Sequence, residues 1–345
     1  MYDKIRPGKY WYDNNLNKIQ AHGGSIIVID NVFYWYGENK EGITGLATGE
    51  KCPYWHHGVK LYSSTDLYNW KDEGFVIKES DDINNPFYPA NIMDRPHIIY
   101  NKKTNKYVLW AKTTKTDFGE SSFSICVGDS IKDMKFIKEI YPLNFHAGDF
   151  DLFNIDDKAY IIFENPHDSL VCIELTDDCL DVTDKYSIHI EKDCPPFVRE
   201  APAFFKKDNN YYLLTSGTTG YYPNSSIIYR INDIHGKWEE IGPACKNDIN
   251  NNSFRAQFSS VFKHPYIDDL YIALGDRWLL DTVEDLPDMD EAFYRMFNKD
   301  DSKEPLFNQN LSDENTSEAL YVWLPIKFDE DNNPYIEWVR EWEIK

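Results

Sequence analysis

The 345-residue chain carries 36 lysine and arginine residues against 58 aspartate and glutamate residues, a formal net charge of −22 at pH 7. Such a negative field repels phosphate backbones and anionic lipid headgroups, so we expect neither nucleic acid nor a membrane as a partner. The chain is 42% apolar and 16% aromatic, too apolar for disorder, and this aromatic content favours an all-β protein or a sugar-binding surface over a helical bundle.

A polar turn followed by a short aromatic and β-branched run recurs along the chain. The five copies are DNVFYWY (30–36), NKYVLW (105–110), DKAYII (157–162), NNYYLL (209–214) and DDLYIAL (268–274). Each copy predicts the second strand of a β-hairpin whose turn is the Asn/Asp/Lys cluster.

The spacing of this repeat predicts the architecture. The tyrosines at positions 34, 107, 160, 212 and 271 are separated by 73, 53, 52 and 59 residues, intervals that suit one four-stranded blade each. Further strands are predicted over 59–64, 226–230 and 319–325. No linker rich in proline, serine or glycine divides the chain, so we predict a single domain over 1–345, an all-β five-bladed β-propeller.

A polar residue lies 11 to 14 residues before each of these tyrosines, where the innermost strand of each blade is expected to begin. These residues are Gln20, Asp94, Asp149, Glu200 and Gln257. Innermost strands line the central channel, so equivalent positions should converge on one axial pocket. The alternative is that they are solvated residues at the channel mouth.

Carboxylates that converge in a pocket are the catalytic groups typical of glycoside hydrolysis. The reaction needs one protonated acid and a second group that handles water. Glu200, followed by small residues, is the best candidate for the acid. A neighbouring carboxylate such as Asp149 would raise the pKa of Glu200. An ion pair between Glu200 and Arg199 is the alternative, but neighbours in a strand point to opposite faces.

Other residues are candidates for sugar binding. Glu38 ends an aromatic strand and is predicted to face the pocket, although a surface charge is equally compatible with its position. Trp55 and Tyr221 lie in predicted loops, where aromatic rings can stack on sugar faces. Asn224 can bond a sugar hydroxyl or form a turn.

No metal or other cofactor is expected, because no Cys/His cluster has zinc spacing. The six cysteines form no CxxC pair and are predicted to be reduced thiols. The N-terminus lacks the pattern of a signal peptide, which predicts a cytoplasmic protein or a secreted one whose leader has been removed. We expect a monomer.

Nine segments, in this order, resemble glycoside hydrolase family 43 and most closely its exo-β-1,3-galactanase branch. They are QAHGG (20–24), YWYGE (34–38), VKLYSSTDL (59–67), RPHIIYN (95–101), REAPA (199–203), TSGTTG (215–220), QFSS (257–260), GDRW (275–278) and YVWLP (321–325). The resemblance implies an inverting exo-hydrolase that removes galactose from β-1,3-galactan, the backbone of arabinogalactan.

The resemblance also implies roles. Glu200 matches the general acid, Asp149 the acid that tunes and orients it, and Asp94 a substrate-contacting acid where glutamate is expected. Gln257 matches an amide at the position that handles water, and Gln20 occupies the first-blade position where the wider family has an aspartate base. Three possibilities stay open: Gln257 orients the water, Gln257 acts as base through an imidic-acid tautomer, or Asp94 is the base.

Two other functions remain possible. A β-xylosidase or α-L-arabinofuranosidase with the same fold would require a carboxylate base, which Gln20 and Gln257 do not supply. A non-catalytic carbohydrate-binding propeller would need no acids at the axis. In each case the expected partner is an oligo- or polysaccharide.

Overall fold

The structure, a computed structural model, describes residues 1–42, 54–115, 119–192, 194–280, 289–297 and 316–345. The strands form five sheets whose neighbours follow chain order. Blade 1 contains β1 (His22–Ile29), β2 (Val32–Glu38), β3 (Gly58–Ser64) and β4 (Lys71–Lys78). Blade 2 contains β5 (Ile92–Asn101), β6 (Lys106–Thr114), β7 (Ser122–Gly128) and β8 (Lys135–Ile140). Blade 3 contains β9 (Phe150–Ile155), β10 (Lys158–Asn165), β11 (Ser169–Leu175) and β12 (Val182–His189).

The remaining strands complete two more blades. Blade 4 contains β13 (Arg199–Lys207), β14 (Asn210–Gly217), β15 (Ile227–Ile231) and β16 (Glu239–Pro243). Blade 5 contains β18 (Gln257–Lys263), β19 (Tyr271–Arg277), β20 (Leu320–Phe328) and β21 (Pro334–Glu337), with β17 (Cys245–Lys246) pairing in parallel with the outer strand β21. The helix α1 (Met289–Phe297) follows β19. No described helix is long or apolar enough to cross a membrane.

The innermost strands close into a ring. Each of β1, β5, β9, β13 and β18 packs against the next, and β18 packs against β1. All five repeat tyrosines lie on the second strand of their blade, as the sequence predicts. The prediction of an all-β five-bladed β-propeller is confirmed.

The ends of the chain meet between blades 1 and 5. Ile5 and Trp342 exchange backbone hydrogen bonds of 2.9 and 3.0 Å, and the amide of Gly8 donates to the carbonyl of Tyr321. Behind this seam Trp35 packs edge-on against Trp323, with ring centroids 4.5 Å apart. Aromatic pairs of this kind add about 0.5–1.5 kcal/mol beyond their buried area.

A β-bulge displaces the pocket end of the inner strand in blades 1, 2, 4 and 5. In three of them one residue adopts a left-handed backbone conformation: Gly23 with φ 60°, Arg95 with φ 53° and Ala201 with φ 46°. Proline or glycine follows each of these residues. A bulge bends the strand and re-aims its side chains, so these sites decide which residues face the axis.

The cysteines in the described part of the chain are free thiols. Cys126, Cys172 and Cys179 are buried, whereas Cys194 and Cys245 are partly exposed. Burial raises the pKa of Cys126 and of Cys172 far above the usual range, which keeps both thiols protonated. The sixth, Cys52, lies outside the described residues.

Candidate active site

Four of the five polar residues predicted at the starts of the inner strands meet in one pocket on the propeller axis. The cavity has a volume of about 180 Å³. Its lining consists of Glu38, Asp94, Arg95, Lys112, Asp149, Glu200, Gly220, Tyr221, Gln257 and Trp278. Two larger cavities, of about 470 and 680 Å³, lie at other places and bring together none of the predicted site residues.

Gln20 is the exception. It precedes β1, and its side chain bonds two backbone groups, donating to the carbonyl of Ser317 at 3.0 Å and accepting from the amide of Lys40 at 3.3 Å. The bulge shows that His22, which precedes the left-handed Gly23, is the counterpart of Asp94 and Glu200 in blade 1. The prediction that Gln20 occupies this position in blade 1 was therefore wrong by two residues. Two residues is the interval at which side chains on a strand return to the same face.

Glu38 supplies the carboxylate of blade 1 from the second strand. It lies opposite His22 and lines the pocket, as predicted. Burial raises the pKa of Glu38 to about 7, with Lys40 opposing that rise and Asp94 adding to it. The Glu38 Oε1 atom accepts the backbone amide of Arg95 at 3.0 Å, which joins blades 1 and 2 at the pocket wall.

Glu200 has the environment of a protonated acid. Burial raises the pKa of Glu200 well above its usual range, and the nearby carboxylates of Asp149 and Glu164 raise it further. The Gln257 Nε2 atom donates to Glu200 Oε1 at 2.8 Å. Because that oxygen accepts a hydrogen bond, the proton of the neutral acid belongs on Oε2. Arg199, the alternative partner, instead bonds Thr215 and the backbone of blade 4.

Asp149 has the opposite environment, although it is even more buried than Glu200. Burial works against its ionised form, but Arg95 and Lys112 outweigh burial and lower the pKa of Asp149. The Arg95 Nε and Nη2 atoms lie 3.2 and 3.1 Å from Asp149 Oδ2, and Lys112 Nζ lies 3.4 Å from Oδ1. One acid is thereby kept ionised beside a second that is kept neutral.

The amide of Gln257 is fixed by its neighbours. Its Oε1 atom accepts from Trp278 Nε1 at 3.0 Å and from Arg95 Nη2. Indole and guanidinium groups donate hydrogen bonds and cannot accept them. These two donors hold the oxygen of the amide, so its nitrogen faces Glu200. The same contacts also oppose an imidic-acid tautomer, since the hydroxyl of that tautomer would face two donors.

Asp94 lines the same pocket and has contacts of its own. Its Oδ1 atom accepts from Trp55 Nε1 at 3.0 Å, and its Oδ2 atom lies 3.6 Å from Lys112 Nζ. Asp94 and Arg95 both line the pocket although they are adjacent in a strand. The left-handed conformation of Arg95 breaks the alternation of side chains at this point.

The two remaining predicted residues differ in position. Tyr221 lines the pocket and packs edge-on against Trp278 at 5.1 Å. Asn224 does not line it, because its amide bonds the backbone of Gly217 in both directions and donates to Thr219 at 2.7 Å. This geometry matches the turn-forming role that the sequence left open.

Sequence reasoning missed Arg95, Lys112, Glu164 and Trp278. A signal for some of them exists: the residues 4 or 5 positions after each repeat tyrosine are Glu38, Lys112, Glu164, Ser216 and Asp276. They lie at or near the C-terminal ends of the second strands, opposite or beside the inner-strand residues. A search for polar residues at a constant distance from each repeat tyrosine, extended to the second strand of each hairpin, identifies this second set of residues. Nothing comparable marks Trp278.

The chain matches the model of glycosyl hydrolases family 43 over residues 12–273, well over half its length. No curated protein matches it in sequence. Among solved structures, it is similar to a family 43 β-1,3-galactosidase at 25% identity and TM-score 0.81, covering 99% of this chain and 64% of that one. A second β-1,3-galactosidase of the family, solved with galactodeoxynojirimycin, is similar at 27% identity and TM-score 0.79, covering 99% and 100%.

An exo-β-1,3-galactanase from Phanerochaete chrysosporium, solved with β-1,3-galactotriose, has the same fold at 21% identity and TM-score 0.78, covering 100% of this chain and 69% of that one. Its similarity is evidence for the fold alone. The family match, the propeller and the axial cluster of acids agree with one another. The protein is a glycoside hydrolase with an oligo- or polysaccharide substrate, and it belongs to glycosyl hydrolase family 43.

Proposed function

We propose that this enzyme is an inverting exo-glycosidase that releases galactose from β-1,3-galactan. The observation that carries the proposal is the paired environment of Glu200 and Asp149, a neutral acid beside an ionised one inside a small pocket. A volume of about 180 Å³ suits a single sugar ring, as expected of an exo-enzyme. The similarity to two β-1,3-galactosidases of the family supports the choice of sugar and linkage.

In this mechanism Glu200 transfers the proton on Oε2 to the glycosidic oxygen as the bond from that oxygen to the anomeric carbon breaks. Positive charge then develops on the sugar ring. The ionised Asp149, with Glu38 nearby, stabilises that charge and orients the ring. Water attacks the anomeric carbon from the opposite face and inverts the configuration, and its proton passes to Asp94 if that carboxylate is the base, or otherwise to solvent. Solvent then reprotonates Glu200.

The group that handles this water must lie on the opposite face, with about 6.5–9.5 Å between the two catalytic groups in inverting enzymes. We retain Gln257 for this role, with Asp94 as the alternative. Because Gln257 Nε2 lies 2.8 Å from Glu200 Oε1, the bound sugar must first separate these two side chains for Gln257 to act from the opposite face. The Gln257 oxygen already accepts two hydrogen bonds. For Gln257 to bind the water through that oxygen, the sugar must displace Arg95 or Trp278. Asp94 needs no such rearrangement to act as a base.

Proton NMR of the first product tests both halves of the proposal. On β-1,3-galactobiose we expect α-galactose to appear first and to mutarotate afterwards. Initial release of β-galactose would contradict inversion. A parallel panel of aryl β-galactoside, β-xyloside and α-L-arabinofuranoside tests the sugar, and a preference for either pentoside would replace the proposed substrate.

A further inference from the structure

Lys40 is a buried lysine beside the pocket. Its side chain is 1% exposed, although it follows the last residue of β2 by only two positions. Its backbone is tied down by the Gln20 side chain, which accepts the Lys40 amide. Lysine is almost never fully buried unless it is paired, because removing an ammonium group from water is costly.

The partners of Lys40 include a carboxylate and two indole rings. Its Nζ atom lies 2.9 Å from Glu38 Oε2. The same atom lies 4.9 Å from the centre of the Trp55 ring and 5.9 Å from that of Trp278. A cation within about 6 Å of an aromatic face is attracted to it, most strongly by tryptophan.

Each of these two tryptophans holds one of the candidates for handling the water. The indole of Trp55 donates to Asp94 Oδ1, and the indole of Trp278 donates to Gln257 Oε1, both at 3.0 Å. A tilt of either ring would move its N–H group and so redirect the carboxylate or the amide. One ammonium group therefore lies within cation–π distance of the supports of both.

We propose that Lys40 is a positioning residue for the hydrolytic water, acting through Trp55 on Asp94 and through Trp278 on Gln257. The inference rests on the proposed hydrolytic function but does not depend on which of the two groups activates the water. It predicts that loss of the Lys40 charge impairs the chemical step more than sugar binding, because the residue does not line the pocket.

The test replaces Lys40 with methionine, which has a similar length and no charge. We expect Lys40→Met to lower kcat on the order of 10²-fold, the cost of a small misplacement of reacting groups, with KM changed by less than about threefold. Wild-type kcat in a folded Lys40→Met protein would overturn the proposal. So would a rise in KM at unchanged kcat.

Lys60 provides a matched control. Its Nζ atom pairs with Asp72 at 2.7 Å and lies 4.8 and 5.9 Å from the rings of Phe75 and Tyr62, yet it does not line the pocket. Lys60→Met removes the same kinds of contact on β3. We expect kcat to stay at the wild-type value in this variant. An equal kcat loss in both variants would mean that a general loss of stability explains the effect.

A double-mutant cycle covers the case in which Lys40→Met does not fold. Lys40→Arg keeps the charge but changes its shape, and it can be combined with Trp278→Phe and with Trp55→Phe, which remove the indole N–H groups. We expect the loss of kcat in Lys40→Arg to shrink in at least one tryptophan variant, because coupled residues are not additive. Additive losses in both backgrounds would overturn the proposal. If the wild type hydrolysed only a pentoside, the proposed substrate would fail, while the cycle could still be measured on that pentoside.

Discussion

Single residues decide the protonation states on which this pocket depends. Glu200 and Asp149 are both carboxyls withdrawn from solvent in the same pocket, yet their pKa values move in opposite directions. The difference lies in their partners, because Asp149 contacts two cations whereas Glu200 contacts a neutral amide. Pushing the pKa values of two acids apart is how an enzyme assigns one of them as the proton donor.

The first prediction concerns the proton donor. Glu200→Gln keeps the size of the side chain but cannot deliver a proton, so kcat on a natural disaccharide should fall by about 10²–10⁴-fold. Steady-state kinetics on β-1,3-galactobiose measure this fall. The exposed Glu239→Gln, which removes only a surface ion pair with Arg230, should retain full activity. Near-wild-type turnover of Glu200→Gln would remove Glu200 from the role.

The second prediction concerns pH. Only the protonated form of Glu200 donates, so its ionisation sets the basic limb of the kcat/KM profile. Asp149→Asn removes a negative charge that raises the pKa of Glu200 and leaves Arg95 and Lys112 uncompensated beside it. Both effects lower that pKa, so the basic limb should move to lower pH. An unchanged profile would mean that Asp149 only positions the sugar.

The third prediction separates the two candidates for the water. If Gln257 handles the water, Gln257→Ala should be severely impaired and Asp94→Asn should mainly raise KM. If Asp94 is the base, Asp94→Asn should lose most of its kcat, and added azide should partly restore turnover by attacking in place of water. Wild-type activity in Gln257→Ala would contradict the assignment of Gln257.

At the scale of elements, the bulges on the inner strands determine what faces the pocket. Regular alternation would turn Arg95 away from the side on which Asp94 lies, yet both line the cavity. In blade 1 the bulge brings Gly23 against Glu38, where a β-carbon added to the glycine would lie 2.4 Å from Glu38 Oε1. This close approach and a φ of 60° both require glycine.

The fourth prediction uses this glycine. Gly23→Ala should displace the Glu38 carboxylate and raise KM, in addition to a cost of about 1–2 kcal/mol for the left-handed conformation. Gly74→Ala is the matched control, since Gly74 has a φ of 92° but nothing within 4 Å of an added β-carbon. Both variants should lose thermal stability, and only Gly23→Ala should alter KM. Equal kinetics in the two variants would contradict a role for the Gly23 contact.

At the scale of the whole molecule, the pocket exists only while the ring of blades is closed. Its lining extends in sequence from Glu38 to Trp278 and includes residues of every blade. The seam between the first and last blades is held by backbone pairing of Ile5 with Trp342 and by the tryptophan cluster behind it. Weakening the seam should therefore affect both stability and activity.

The fifth prediction tests this seam. Ile5 is 1% exposed and packs into the cluster that joins blades 1 and 5. Ile5→Ala should reduce stability by about 2–5 kcal/mol, the usual cost of such a cavity. Thermal unfolding followed by circular dichroism measures the change. Leu16→Ala, at a side chain that is 81% exposed, should leave the midpoint unchanged. Equal midpoints in the two variants would show that the seam does not limit stability.

The sequence by itself determined the number of blades, the place of the repeat tyrosines, and four of the five inner-strand residues at the axis. These features are local, because the turn residues of a hairpin and the alternation of side chains along its strands are visible within a short stretch of sequence. The tertiary structure alone decided that His22 rather than Gln20 is the blade 1 counterpart of Asp94 and Glu200. It also decided that Arg95 and Lys112 keep Asp149 ionised. It further decided that the Lys40 ammonium group lies near the rings of Trp55 and Trp278. A bulge shifts the alternation without a fixed sequence signal, and contacts between blades join residues far apart in the chain, so neither can be inferred from local spacing.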